Sequence, residues 1–233
     1  MSELQWKSAL YFLRSRIVSG ELTGGTKLRA SHLALTMGVS RTPISEALIK
    51  LEGEGLLVRD KSGFTIRSFA LTEVHDAIDL RGLLEGAAVQ KAAERGVDDS
   101  EIEKLQRKID ELDQALNVAD VTGYDQLNLE FHHHLITLSN SDILIAEVQR
   151  AYRLPFAGPS AFPTRQSDTE RFHASLIIGQ QHHQQIVSAV AQREGARAFA
   201  LMCEHARLAH DNVRAAVNNT ELAPQLALVN NAH

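Results

Sequence analysis

The sequence predicts a mainly α protein in two parts: a helix-turn-helix with a small β-hairpin wing, then an all-helical bundle. Three observations predict it. Two short amphipathic segments, "ASHLALTM" and "TPISEALIKLE", are separated by "GVSR". Strand-like "LLVRD" and "FTIRSF" flank "KSG", a hairpin signal. From about residue 73 onward, apolar residues recur at helical spacing with little strand signal.

Bulk properties bound the function. The chain has 233 residues, room for one or two domains, and its 44% hydrophobic and 23% charged content is ordinary for a globular protein. No apolar run nears the roughly 18 residues of a membrane span, so no membrane partner is expected. "MSELQWKSAL" shows no apolar leader, and a single cysteine, Cys203, excludes an intrachain disulfide framework. A cytoplasmic location is expected. The net charge of −5 is unevenly spread. Residues 1–69 hold 10 Lys/Arg against 6 Asp/Glu, a balance of +4; the remainder holds 14 against 23, a balance of −9. A basic head on an acidic body points to nucleic-acid binding by the head.

Each element has a local reason. Ala9, Leu10, Leu13 and Ile17 share a helical face over 6–19, and Gly20 supplies a stop. "GELTGGTKL" reads as a turn. Ser31 is placed to cap a helix carrying Leu33, Ala34 and Met37, which Gly38 ends. Ser40 or Thr42 caps the next helix; Pro43 is tolerated in its first turn, and Ile44, Ala47, Leu48 and Leu51 form its apolar face. The second helix of such a pair enters the DNA major groove.

"LALTMGVSRTPISEALIKLEGEGLL" with its Gly-tipped hairpin resembles the winged helix-turn-helix of the GntR family of bacterial transcriptional regulators, over residues 8–68. The resemblance implies binding to double-stranded operator DNA. It places Arg29, Ser40, Arg41 and Thr42 at the contacting helix starts, and Gly63 at the wing tip close to the DNA backbone. Lys61 and Arg67 are either further DNA contacts or solvated charges. Where the family reads "PxREAL", this chain reads "PISEAL". Ser45 therefore lacks the arginine fork that grips guanine, so the operator differs at that base pair or Arg41 carries the reading.

Beyond a linker at 70–73, Thr72 is placed to cap a helix over 73–95 whose apolar face includes Val74, Ile78, Leu83 or Leu84, Ala88 and Ala92. Further helices are expected at 99–117, 121–139, 142–153, 168–193 and 195–217. "RLPFAGPSAFPTRQ" is a non-helical loop. The helical domain spans 74–218, and the tail 219–233 is expected to be disordered in part.

Histidines carry the chemistry of this second domain. His132, His133 and His134 are consecutive, so on a helix they point about 100° apart. His132 shares a face with Asn128, Leu135 and Ile136 and points inward; His133 and His134 do not. An oxygen at i and an imidazole at i+4 can reach one ion from a single helix. Ile186, Val187 and Val190 follow His183 on one face, a register that favours it over His182. His205 sits among Leu201, Met202, Leu208 and Ala209. Taken alone, each histidine reads more simply as a core residue hydrogen-bonded to a backbone group or carboxylate.

"DLRGLLEGAAVQKAAER", "NLEFHHHLITLSN" and "HQQIVSAVAQREGARAFALMCEHARL" resemble the FCD class of ligand-sensing domains found in FadR-like regulators, over 73–215. That resemblance implies a divalent metal held by Asn128, His132, His183 and His205, with zinc favoured over nickel or manganese. Asn128 stands where the class usually has aspartate, so the ligand set loses a negative charge. Arg81, with Glu85 beside it, is implied as the grip for a small organic-acid effector; the alternative is a surface Arg81–Glu85 pair at i, i+4. A homodimeric repressor is expected. The rival readings are a DNA-binding protein with a purely structural metal, and a metal-dependent hydrolase, for which no HExxH or nucleophile-elbow motif is present.

Overall fold

The computed structural model describes residues 2–18, 21–61, 63–154, 157–159, 170–218 and 228–229. The chain divides into two compact units, Met1–Val74 with Arg214–His233, and His75–Val213.

The first unit contains α1 (Ser2–Val18), β1 (Lys27–Leu28), α2 (Ala30–Met37), α3 (Arg41–Gly53), β2 (Leu57–Asp60), β3 (Gly63–Ile66) and β4 (Phe69–Ala70). Its core is the set of helical stripes read from the sequence: Leu13 and Ile17 from α1, and Ile44, Ala47, Leu48 and Leu51 from α3, all fully buried. Gly38 ends α2 in the left-handed conformation (φ 64°), and its N–H returns to Leu35 O. Neither expected serine cap closes on its helix: α2 starts at Ala30 behind Arg29, and Ser40 precedes α3 without a side-chain cap bond. Arg14 instead binds Glu54 at the end of α3 through two N–H···O contacts of 3.0 and 2.5 Å.

The wing is a three-stranded antiparallel sheet in the order β1-β3-β2, not a bare hairpin. β2 and β3 register Leu57 with Ile66 and Asp60 with Gly63. The segment read as a turn supplies the third strand, with Lys27 opposite Thr65. Two residues were too short a run for alternation to show. Most of the tail at 219–233, expected to be disordered in part, lies outside the described residues; Leu228 and Val229 form β5, parallel to β4.

The second unit holds most of α4 (Leu71–Arg95) and α9 (Gly195–Asn218), with α5 (Asp99–Asn117), α6 (Val121–Thr137), α7 (Asp142–Ala151) and α8 (Glu170–Ala191). The expected linker at 70–73 is regular structure: Ala70 lies in β4 and Leu71 opens α4. Glu73, not Thr72, serves the helix start, accepting from Ala70 N–H at 3.0 Å. Val89, Ile109, Leu112, Phe131, Leu135, Ile186, Val190 and Met202 are fully buried in one core. Of Leu83 and Leu84, the second turns inward; Leu83 is 53% exposed. Asp120 caps α6 by accepting from Gly123 N–H.

Candidate metal and effector site

α4, α6, α8 and α9 each bring one turn of polar residues into the otherwise apolar interior of the second unit. From α6 come Asn128 and His132, one turn apart and both buried. From α8 comes His183, and from α9 His205. One ligand atom from each of the three histidines lies within 4.8 Å of the others. His132 Nε2 is 3.1 Å, and His183 Nε2 3.2 Å, from His205 Nε2.

Their hydrogen bonds determine where the lone pairs point. His132 Nδ1 lies 2.8 Å from Glu85 Oε1, and a carboxylate can only accept, so Nδ1 holds the proton. His183 Nδ1 lies 2.9 Å from Gln180 Oε1. Gln180 Nε2 donates to Ile109 O at 2.8 Å, which orients the amide with its oxygen towards the imidazole. Both rings therefore direct an Nε2 lone pair at His205 Nε2. His205 has at most one N–H there, so in the neutral state it can satisfy only one of them. A cation between the three satisfies all. Ligand atoms ~2.0–2.1 Å from one ion at tetrahedral or octahedral angles lie about 2.9–3.4 Å apart, which matches the two separations from His205 Nε2. Burial, reinforced by neighbouring imidazoles, pushes His183 and His205 well below the usual histidine pKa, keeping both in the neutral form that binds metal.

Asn128 Nδ2 donates to Pro159 O at 3.1 Å, committing the amide nitrogen and leaving its oxygen as the donor the side chain can offer an ion. Asn128, His205 and Arg81 line a common cavity of about 30 Å³ together with Tyr124, Ser175 and Asn212. These last three were not anticipated. Tyr124 lies one helical turn before Asn128 and Asn212 two turns after His205, a periodicity legible in the sequence once those ligands are chosen.

Arg81 and Glu85 differ from the surface pair considered above. Arg81 is 2% exposed and Glu85 fully buried, with Arg81 Nε 3.4 Å from Glu85 Oε2. Arg81 Nη2 also donates to Ala206 O at 3.4 Å. Burial opposes ionisation of Glu85, yet attraction to His132 and Arg81, aided by hydrogen bonds from His132 and Tyr152, holds its pKa below the ordinary value. Glu85 backs His132 and is not part of the cavity lining. Tyr152, whose hydroxyl donates to Glu85 Oε1, had no sequence signal because only tertiary packing brings it there.

The other members of the triplet are elsewhere. His133 is exposed, and His134 Nε2 pairs with Glu101 at 2.7 Å. His182 is half-buried, its ring centroid 6.0 Å from that of His205.

In the first unit, Arg29, Ser40, Arg41 and Thr42 are exposed at the starts of α2 and α3, and Lys61 is exposed at the wing tip. Gly63 has φ 121°, a conformation that favours glycine. Ser45 is half-buried and donates to Arg41 O at 3.0 Å, tying its hydroxyl to its own helix. Arg67 pairs with Glu73 at the surface and lies over the Phe69 ring at 4.9 Å.

Comparison with known proteins agrees with both halves. The FCD domain family matches residues 76–208, and the family of bacterial regulatory proteins, gntR family, matches residues 11–66. The Nta operon transcriptional regulator of Aminobacter aminovorans is 28% identical over 200 residues, covering 84% of this chain and 88% of that protein. The regulator YdhC of Bacillus subtilis is 33% identical over 131 residues, 55% of this chain and 58% of that protein. Escherichia coli McbR/YncC shares the fold, with a TM-score of 0.71 at 20% identity over 91% of this chain and 96% of that one. Both families are regulators, which removes the hydrolase reading. The chain belongs to the GntR family of DNA-binding transcriptional regulators and carries an FCD domain.

Proposed function

We propose that this protein is a dimeric repressor whose operator affinity is set by a small carboxylate bound beside a divalent metal ion. The observation that carries the reading is the approach of His132 Nε2 and His183 Nε2 to His205 Nε2, at 3.1 and 3.2 Å, with Arg81 and Asn128 on the wall of the adjoining cavity. Asn128, His132, His183 and His205 would hold the ion. Its chemistry there is Lewis acidity towards an anionic oxygen; with four neutral ligands it keeps its full charge of about +2. Arg81 supplies a second positive group for the same anion, and Ser175, Tyr124 and Asn212 suit hydroxyl groups on the remainder. Zinc, nickel and manganese all accept such mixed nitrogen and oxygen ligation.

The cavity is small, about 30 Å³, and an acid that binds better when one of its walls shifts would favour that conformation, the condition for an effector to move an equilibrium. Repression accords with relatives such as the gluconate operon transcriptional repressor of Bacillus licheniformis, 25% identical over 133 residues. The buried Arg81–Glu85 pair favours a second reading, a purely structural metal with Arg81 already neutralised.

The test is operator binding by fluorescence anisotropy, on DNA selected from a random pool, against a panel of hydroxy and other organic acids. In metal-loaded protein an effector should weaken binding by about 5–150-fold, and chelation should abolish the response. Metal that stabilises the fold while no acid moves operator affinity would establish the structural reading.

A further inference from the structure

We propose that Glu85 is a positioning residue for the metal centre, returning through His132 the negative charge that Asn128 does not bring. This rests on the metal reading above and adds to it the source of the site's charge balance. Glu85 is fully buried on α4, with Oε1 2.8 Å from His132 Nδ1. Among the described residues it is the carboxylate in hydrogen-bond contact with any of the three imidazoles; His183 is backed by the neutral amide of Gln180.

The geometry gives this contact two consequences. An oxygen that can only accept forces the His132 proton onto Nδ1, so Nε2 presents a lone pair towards His205 at 3.1 Å. A carboxylate behind a ligating imidazole also makes that imidazole a stronger donor. Tyr152 and Arg81 hold the two Glu85 oxygens from other directions, so the carboxylate cannot swing away from His132 without breaking buried contacts. An aspartate at 128 would place its charge directly on the ion. Here the carboxylate that contacts this ligand set stands one residue further out, on a different helix.

The experiment measures Zn(II) affinity of the full chain by competition with a chromophoric chelator, for wild type, Glu85→Gln, Asn128→Asp and the double variant. Glu85→Gln should lower zinc affinity about 10–100-fold, the usual cost of losing such a partner. Asn128→Asp should raise zinc affinity more in the Glu85→Gln background than in wild type, because it returns the charge that background lacks; a merely structural role of Glu85 would give equal gains in both. Zinc affinity within threefold of wild type for Glu85→Gln would overturn the proposal, as would equal gains from Asn128→Asp in the two backgrounds. Glu85→Gln leaves Arg81 buried without its partner; if that variant does not fold, Arg81→Gln is compared with Arg81→Gln/Glu85→Gln, which differ only at Glu85 and bury no arginine. A gap of tenfold or more between them supports the proposal, and equal affinities overturn it. Wild type that takes up no zinc, nickel or manganese would remove the metal reading itself, a result distinct from any of these.

Discussion

His183 and His205 are neutral imidazoles buried where a proton is costly, and this gives the metal-free protein an acid sensitivity. Both have folded-state pKa values well below the usual 6.5, because burial and neighbouring imidazoles oppose the charged form. Below about pH 6.5 the unfolded chain takes up protons that the folded chain refuses. Stability is therefore complete above that pH and falls as pH drops through it, by up to about 1.4 kcal/mol per histidine for each pH unit. Asp125 acts in the opposite sense: burial pushes its carboxyl up to about 7, so stability falls as pH rises from the ordinary carboxylate range to that value and levels off above it. Thermal melts of metal-free Asp125→Asn protein should thus show a steeper loss between pH 7 and 5.5 than wild type. A Tm independent of pH across that range in the variant would contradict the buried neutral histidines. Zinc should raise Tm more at pH 7.5 than at 5.5, since the ion and protons compete for the same nitrogens.

Helices α4 and α9 approach closely enough that two positions on α4 exclude any side chain. A Cβ at Gly82 would lie 2.8 Å from Ala206 Cβ, and one at Gly86 2.9 Å from the Phe199 ring and 3.2 Å from its carbonyl oxygen. The four-residue spacing stacks both on one face of the helix. Their absent side chains let Arg81 and Glu85, on the same helix, reach Ala206 O and His132. Gly82→Ala should lower unfolding free energy by about 1–3 kcal/mol through overpacking, read as a shift of the urea midpoint. Gly179→Ala on α8 is the control: its Cβ would meet nothing nearer than 3.7 Å, so higher helix propensity should make it neutral or stabilising. Equal effects of the two would show that α4 and α9 are not packed this tightly.

For the molecule as a whole, the basic head with a balance of +4 and the acidic remainder with −9 match the division between the gntR-type head and the FCD domain. A single winged head reads one half-site, and half-sites of paired heads are about 34 Å apart. We expect a dimer by light scattering in solution and a two-half-site footprint on operator DNA. A monomer that occupies one half-site tightly would refute this. Among the described residues, no helix is long and apolar enough to cross a membrane.

The fold classes of both parts were legible in the chain because they rest on local regularities. The stripe of Ile44, Ala47, Leu48 and Leu51, the stop at Gly38 and the period-3.6 pattern past residue 73 need no distant partner to be recognised. The inward direction of His132 relative to His133 and His134 was legible for the same reason, since about 100° per residue settles which one faces the core. Short or non-local features were not: β1 is two residues long, and β5 is known only by its pairing with β4. The role of Glu85 belonged wholly to tertiary structure. In sequence, Arg81 and Glu85 form an ordinary i, i+4 ion pair. Only the packing of α4 against α6 and α9 buries that pair, sets its carboxylate behind His132 and brings Tyr152 to it. Helical periodicity decides which residues face inward; which inward residues meet depends on contacts between elements distant in the chain, and no local pattern encodes them.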